Sequence, residues 1–249
     1  MLKQWRTYLI CLTFFALTGE SQAQPGQDSV KSIVTVDGHY GLGLPFGDLK
    51  DRFAEHFTLG TTVSILTKGD LYAAINYDFI FGSQTREDVL SNLKTIDGGI
   101  IGRDMQFASV FLRERGHHFS LEGGYFFRSS SQRAISGIFV VAGLGYLRHK
   151  IRIVDDFDSV VQILDPYHKG YDRLTGGWSL EQKVGYQYFG RDKLVNFRIS
   201  LAVTEAFTRD LRNFNYNTTE VKSSRLDILT GIQVAWIIPI YLTREIRYY

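Results

Sequence analysis

The sequence predicts an all-β fold: an eight-stranded antiparallel transmembrane β-barrel over residues 32–249, with short turns at one end and long loops at the other. Three observations carry this expectation. From Ser32 onward, apolar and polar residues alternate in blocks of about ten, the period-2 signature of strands with two unlike faces. The polar face carries ionisable side chains at mid-block, while the apolar face carries Phe, Tyr and Trp toward the block ends, as a lipid-facing barrel requires. The connections alternate between short and long, which is how such a barrel places its turns and loops. Period 2 alone leaves a soluble sandwich or a lipocalin-type barrel open, because it does not say which face is inside.

Taken in order, the first block sets Val34, Val36, Tyr40, Leu42 and Leu44 against Thr35, Asp37, His39, Gly41 and Gly43. Leu59, Val63 and Ile65 mark a second strand, and Thr67-Lys68-Gly69-Asp70 turns into a third. There Leu71, Ala73, Ile75, Tyr77, Phe79 and Phe81 oppose Asn76 and Asp78. A fourth strand is expected from about His117 to Arg128, with Phe119, Leu121, Tyr125 and Phe127 opposite Glu122 and Gly124. The fifth, Gly137 to Ile153, carries Ile138, Val140, Ala142, Leu144 and Tyr146 together. Gly177 to Phe189 gives the clearest alternation: Trp178, Leu180, Val184, Tyr186 and Tyr188 against Ser179, Glu181, Lys183 and Gln187. Across the turn Gly190–Lys193, Val195, Phe197, Ile199, Leu201 and Val203 oppose Asn196, Arg198 and Ser200. The last block, Arg225 to Leu242, aligns Leu226, Ile228, Ile232, Val234, Trp236, Ile238 and Ile240. Pro239, which cannot donate to a ladder, belongs near that strand's end.

Ahead of the blocks, Lys3 and Arg6 precede the apolar run Tyr8–Thr18, and Ser21-Gln22-Ala23 is a small-x-small cleavage site. Residues 1–23 therefore read as a signal peptide and 24–31 as a short periplasmic lead. The run is shorter than the roughly 20 apolar residues a spanning helix needs. The one cysteine, Cys11, lies inside this signal, so the exported chain has neither a disulfide nor a thiolate metal ligand. A hydrophobic content of 44% with 22% charge excludes disorder, and a net charge of +2 excludes the concentrated basic face of a nucleic-acid binder. Eighteen Phe and 14 Tyr at a mean hydropathy of −0.09 mean that apolar residues are interleaved with polar ones at short range.

No motif announces catalysis. Gly41–Gly43 and Gly143–Gly145 lack the strand-to-helix context of a nucleotide loop. His117-His118, behind Arg113-Glu114-Arg115, points to opposite faces of a strand and is expected at a charged rim. Asp155, Asp156 and Asp158 offer calcium-type oxygens without the spacing of a calcium loop. Ser120, Ser179 and Ser200 face inward, but no local constellation selects a nucleophile with its base. No catalytic residue, cofactor or metal ligand is expected. The connection Gly82–Gly116 holds Val89, Leu90 and Leu93, then Phe107, Val110 and Phe111 at helical spacing, with Thr85 and Asp88 spaced as a capping box. It predicts short helices capping the barrel or docking a partner. The polar stretch Asn217-Thr218-Thr219 reads as a loop.

The whole exported chain resembles small eight-stranded outer-membrane barrels of the OmpA/OmpW-like type. Gly43–Leu49 is similar to a first strand running into an external loop. Tyr167–Leu174 before a Gly-rich strand start, and the finish Gly231–Tyr241, are similar to barrels of the Bacteroidota type. The resemblance implies an integral outer-membrane location. It also implies contact with outer-membrane lipids and lipopolysaccharide and handling by the barrel-insertion machinery. Trp236, Ile238, Ile240, Tyr248 and Tyr249 would carry the assembly signal. Phase assigns Tyr186, Val195, Phe197, Ile199, Ile232 and Trp236 to lipid. It assigns Asp37, Asp78, Glu122, Arg128, Glu181, Lys183, Arg198 and Asp227 to a lumen network in which Lys183, Arg198 and Arg128 neutralise the acids, since buried charges persist only when paired. The expected role is a structural or accessory component of the envelope or of a secretion-type complex, with a protein partner met through the external loops. A narrow OmpW-like channel for small or hydrophobic solutes and a lipid-modifying enzyme are the alternatives.

Overall fold

A chain of alternating strands in a bilayer must leave no open edge, because unpaired backbone groups cannot be satisfied by lipid. The computed structural model describes residues 32–129, 136–190, 195–217 and 223–241. The predicted signal peptide, the segment 24–31 and Tyr248-Tyr249 lie outside them. The strands are β1 (Ile33–Gly47), β2 (His56–Leu66), β3 (Leu71–Gly82), β4 (Val110–Arg128), β5 (Gly137–Asp155), β6 (Thr175–Phe189), β7 (Asn196–Asp210) and β8 (Arg225–Tyr241). Each pairs antiparallel with its sequence neighbour, and β1 pairs with β8 from Ile33↔Tyr241 to Gly47↔Asp227, which closes the barrel. The start of β1, the end of β8 and the short connections share one end, the periplasmic one in the layout of such barrels; the long loops share the other.

The faces are inverted relative to a soluble protein. Leu42, Leu144 and Ile232 are 53%, 67% and 56% exposed, whereas Asp37, Asp78, Glu181 and Lys183 are 2–6% exposed inside the ring. This distribution excludes the sandwich and lipocalin alternatives. Tyr125 with Phe127 and Tyr188 with Phe197 form aromatic contacts outside the periplasmic end; Tyr40, Phe57 and Phe81, and Tyr146 with Trp178, do so toward the external end. Tyr186, Phe197, Ile199, Ile232 and Trp236 lie on the outer face, and Val195 is exposed one residue before β7.

The second external connection departs from expectation. β4 begins at Val110, not His117, and residues 87–94 contain a single 3-10 turn, Ser91–Leu93, in place of helices. The helical spacing at 107–111 arises because this end of β4 is apolar on both sides. Val110 and Leu112 pack against a core of Leu49, Phe53, Val89, Leu90, Ile163 and Tyr171, while Phe111 points out. Thr85 forms a bridge with Phe53, so no capping box assembles. That core lies between the external loops and the barrel mouth. A second cluster, of Leu66, Tyr72, Ala74, Phe126, Phe139 and Val141, fills the periplasmic end of the lumen.

Candidate functional site: the lumen and its cap

Inward parity on β1, β3, β4, β6 and β7 delivers a band of polar side chains between the two apolar clusters. Lys183 lies 2.7 Å from Glu122 Oε1 and 3.0 Å from Glu181 Oε1, and Ser120 Oγ donates to Glu181 Oε2 at 2.6 Å. Arg198 donates to Asp37 Oδ2 at 2.9 Å and through Nε and Nη2 to Gln187 Oε1 at 3.1 and 2.7 Å. Its guanidinium also sits 5.6 Å from the Tyr72 ring centroid and 5.2 Å from that of Phe139, so cation–π attraction joins the band to the periplasmic plug. Asp78 is held by His39 Nε2 at 2.6 Å, Asn76 Nδ2 at 2.7 Å and His118 Nδ1 at 3.5 Å. His118 Nε2 then meets Ser179 Oγ at 2.9 Å. Gly60 and Gly145 leave room for these contacts. A Cβ on Gly60 would collide with His39 Nε2, and one on Gly145 would lie 2.8 Å from both His118 Nε2 and Ser179 Oγ.

Two expected placements change. Arg128 has lumen parity but lies below Phe126, Phe139 and Tyr72, which fill the space between it and the interior acids. Its guanidinium pairs instead with Asp70 in the β2–β3 turn. His117-His118 lies within β4 rather than beside a turn: His118 enters the band, and His117 faces outward, with Nδ1 2.8 Å from Tyr77 Oη. Asp227 is buried at the external end of the lumen, where it meets His149 Nε2 at 3.0 Å and Thr208. His39, Asn76, His118 and Gln187 completed the network without being assigned to it, although all four follow the same inward parity.

The band contains two arrangements with chemical potential. Ser179, His118 and Asp78 stand in nucleophile–base–acid order, and ligand atoms of Asp78, His118 and Glu181 lie within 4.8 Å of one another. The Lys183 ammonium beside Glu181 supplies the positive charge that a cation would bring. A cavity of about 30 Å³ borders these three residues together with His56 and Thr58, whose Nδ1 and Oγ1 lack partners. That space suits a water molecule.

Over the mouth, four loops are tied together by charge. Glu87 accepts from Arg52 Nε and Arg173 Nε, both at 2.8 Å, and Arg52 Nη1 reaches Thr175 Oγ1 at 2.7 Å. Arg212 grips Asp172 with two bonds of 2.7 Å, and these bonds hold its guanidinium above its usual value. Burial, reinforced by Arg225, pulls Arg52 below its own. Asp155 caps the following turn, accepting from Ser159 Oγ and Val160 N at 3.0 and 2.8 Å.

No protein-family model matches the chain, and no curated protein matches it. Solved structures similar to it include Ail of Yersinia pestis in complex with the heparin analogue sucrose octasulfate, at 10% identity over 84% of this chain and 99% of that one, TM-score 0.41. The N-terminal β-barrel domain of Pseudomonas aeruginosa OprF shows 12% identity over 83% and 98%, TM-score 0.40. The E. coli outer membrane protein W shows 14% over 83% and 97%, TM-score 0.35. Closed by eight antiparallel strands, wrapped in apolar side chains and filled with polar ones, this chain is an eight-stranded β-barrel with the inverted faces of a transmembrane barrel.

Proposed function

We propose that the protein is a non-enzymatic, non-conducting accessory component of the envelope, a membrane anchor that presents a folded external cap to a protein partner. The observation that carries this reading is a lumen occupied at three levels: the Tyr72–Phe126–Phe139 plug, the Lys183 and Arg198 networks, and the loop core under the Glu87 clamp. An eight-stranded barrel has an interior just wide enough for side chains to fill. Ser179, 2% exposed and inside the wall, is out of reach of a membrane lipid, which favours the non-enzymatic reading. The loops also expose Ile96, Met105, Phe107 and Phe157 above the barrel, apolar surface suited to a protein contact.

The rival reading, a narrow conduit for small or hydrophobic solutes, draws on one feature. Gly41, Gly43 and Gly231 thin the β1–β8 wall where it separates the 30 Å³ cavity from lipid. Two measurements separate the readings. In planar bilayers the purified protein should give no stable conductance steps, and extraction in mild detergent should retain a stoichiometric envelope protein. Porin-like steps, or a solitary barrel that accelerates entry of a hydrophobic solute into liposomes, would overturn the anchoring reading.

A further inference from the structure

The β4–β5 hairpin is longer than its neighbours on the external side. Each strand has 19 residues, whereas about 9–11 suffice to cross the bilayer. Counted from the short turn, eleven residues bring β4 to His118 and β5 to Leu147. At that level the outward side chains change character. Phe119, Leu121, Leu144 and Tyr146 give way to His117, Arg115 and Arg113 on β4 and to Arg148, Lys150 and Arg152 on β5. The register sets these directly opposite one another: His117↔Arg148, Arg115↔Lys150 and Arg113↔Arg152.

Like charges facing each other across an antiparallel pair destabilise the pairing, and here two cationic pairs follow in succession above His117 and Arg148. Among the described residues no carboxylate forms an ion pair with any of the five Arg and Lys side chains. Glu114, between Arg113 and Arg115, points inward and is buried. Of the nearest loop acids, Asp155 is taken by Ser159 and Val160, Asp165 by Lys169, and Asp172 by Arg212. Asp156 and Asp158 border the same groove as Lys150 and Arg152 without pairing with them. Directly beneath the ladder, Tyr77 Oη bonds His117, and Tyr146 packs edge-on against Trp178 at 5.8 Å. Such an aromatic belt marks the headgroup level.

We propose that this ladder binds the phosphate groups of an outer-leaflet lipid, whose acyl chains lie along Phe119, Leu121, Leu144 and Tyr146 below. Arg113, Arg115 and Arg152 offer planar forks suited to phosphate oxygens, Lys150 and Arg148 add charge, and the anion relieves the repulsion between facing strands. From Arg148 to Arg152 the ladder runs about 13 Å along the strand, so it projects into the headgroup layer and is not confined to its edge. The site lies on the outer wall and does not depend on whether the lumen conducts.

The test uses the exported protein folded in detergent micelles, with native mass spectrometry reading bound lipid. The probes are diphosphorylated lipid A, lipid A stripped of both phosphates, inorganic phosphate and heparin. Wild type should retain the diphosphorylated form. The triple variant Arg115→Ser, Lys150→Ser, Arg152→Ser should bind it roughly a hundred-fold more weakly, while a control lacking Arg103 and Lys169 keeps wild-type affinity. Cold-gel mobility verifies folding. In lipid-free micelles the triple variant should unfold at a higher temperature than wild type, and lipid A should close that gap. Equal lipid A binding by wild type and triple variant would overturn the proposal. So would equal capture of the phosphate-free form, ladder-dependent binding of heparin or inorganic phosphate without lipid A, or a lipid-free triple variant less stable than wild type.

Discussion

Replacing Lys183 by Met removes one ammonium from between two carboxylates. Lys183 is 6% exposed and lies 2.7 Å from Glu122 and 3.0 Å from Glu181. At an effective dielectric near 20, unit charges about 3 Å apart attract by roughly 5–6 kcal/mol, and the cost of taking both out of water offsets most of that gain. Deleting one partner leaves the cost without the gain, which is about 3–5 kcal/mol for a buried pair. With two acids orphaned, the expected loss lies at the upper end, about 4–5 kcal/mol. Urea unfolding from lipid vesicles measures it. Trp178 and Trp236, 73% and 56% exposed on the outer face, report the barrel leaving lipid through their fluorescence. The triple variant Lys183→Met, Glu122→Gln, Glu181→Gln should recover to within about 2 kcal/mol of wild type, because neutral groups no longer require a counter-ion. A loss below about 1 kcal/mol for Lys183→Met, or a triple variant no better than the single one, would refute the claim that this pair sustains the lumen.

Four further outcomes are expected. Ile232→Arg, in the lipid-facing band, should cost about 2–4 kcal/mol, and Tyr188→Arg, in the periplasmic aromatic belt, about 0–1 kcal/mol, in the same unfolding assay. Gly145→Val should cost about 1–3 kcal/mol, because the added atoms meet His118 and Ser179; unchanged stability would mean that their hydrogen bond is not maintained. Glu87→Gln removes the charge shared by Arg52 and Arg173. Limited proteolysis should then cut the second external connection faster, while cold-gel mobility shows an intact barrel. Truncation after Ile238 should abolish membrane insertion, whereas removal of Tyr248 and Tyr249 alone should slow it, both followed by heat-modifiable mobility.

The interior chemistry was legible as far as parity reaches. Asp37, Asp78, Glu122, Glu181, Lys183, Arg198 and Asp227 stand at alternate positions in apolar blocks, and a strand sends every second side chain to one face, so sequence alone places them in the lumen. Which acid meets which base is different. Arg198 finds Asp37, 161 positions away, only because the ring closes through β8 and tilts the strands past one another. Arg128 shows the limit of parity: it has the lumen phase, but Phe126 and Phe139 stand above it, and height along the strand is set by register and shear.

The alternation, being local, determined the strand number and which side chains share a face, and the charges at mid-block with the aromatics at block ends determined which face turns inward. It failed at the external end of β4, because Val110 and Leu112 meet loop residues on the inner side while Phe111 stays outside. With both faces apolar, the period imitates a helix. The same end shows what only tertiary structure decides. Arg113 and Arg115, in the expected second external connection, and Arg148, Lys150 and Arg152, in the expected fifth strand, alternate visibly within their own segments, yet neither segment shows where the other lies. Pairing of β4 with β5 aligns them into one face of uncompensated charge just above the aromatic belt, and that alignment depends on contacts between residues some 30 to 40 positions apart, which no local pattern encodes.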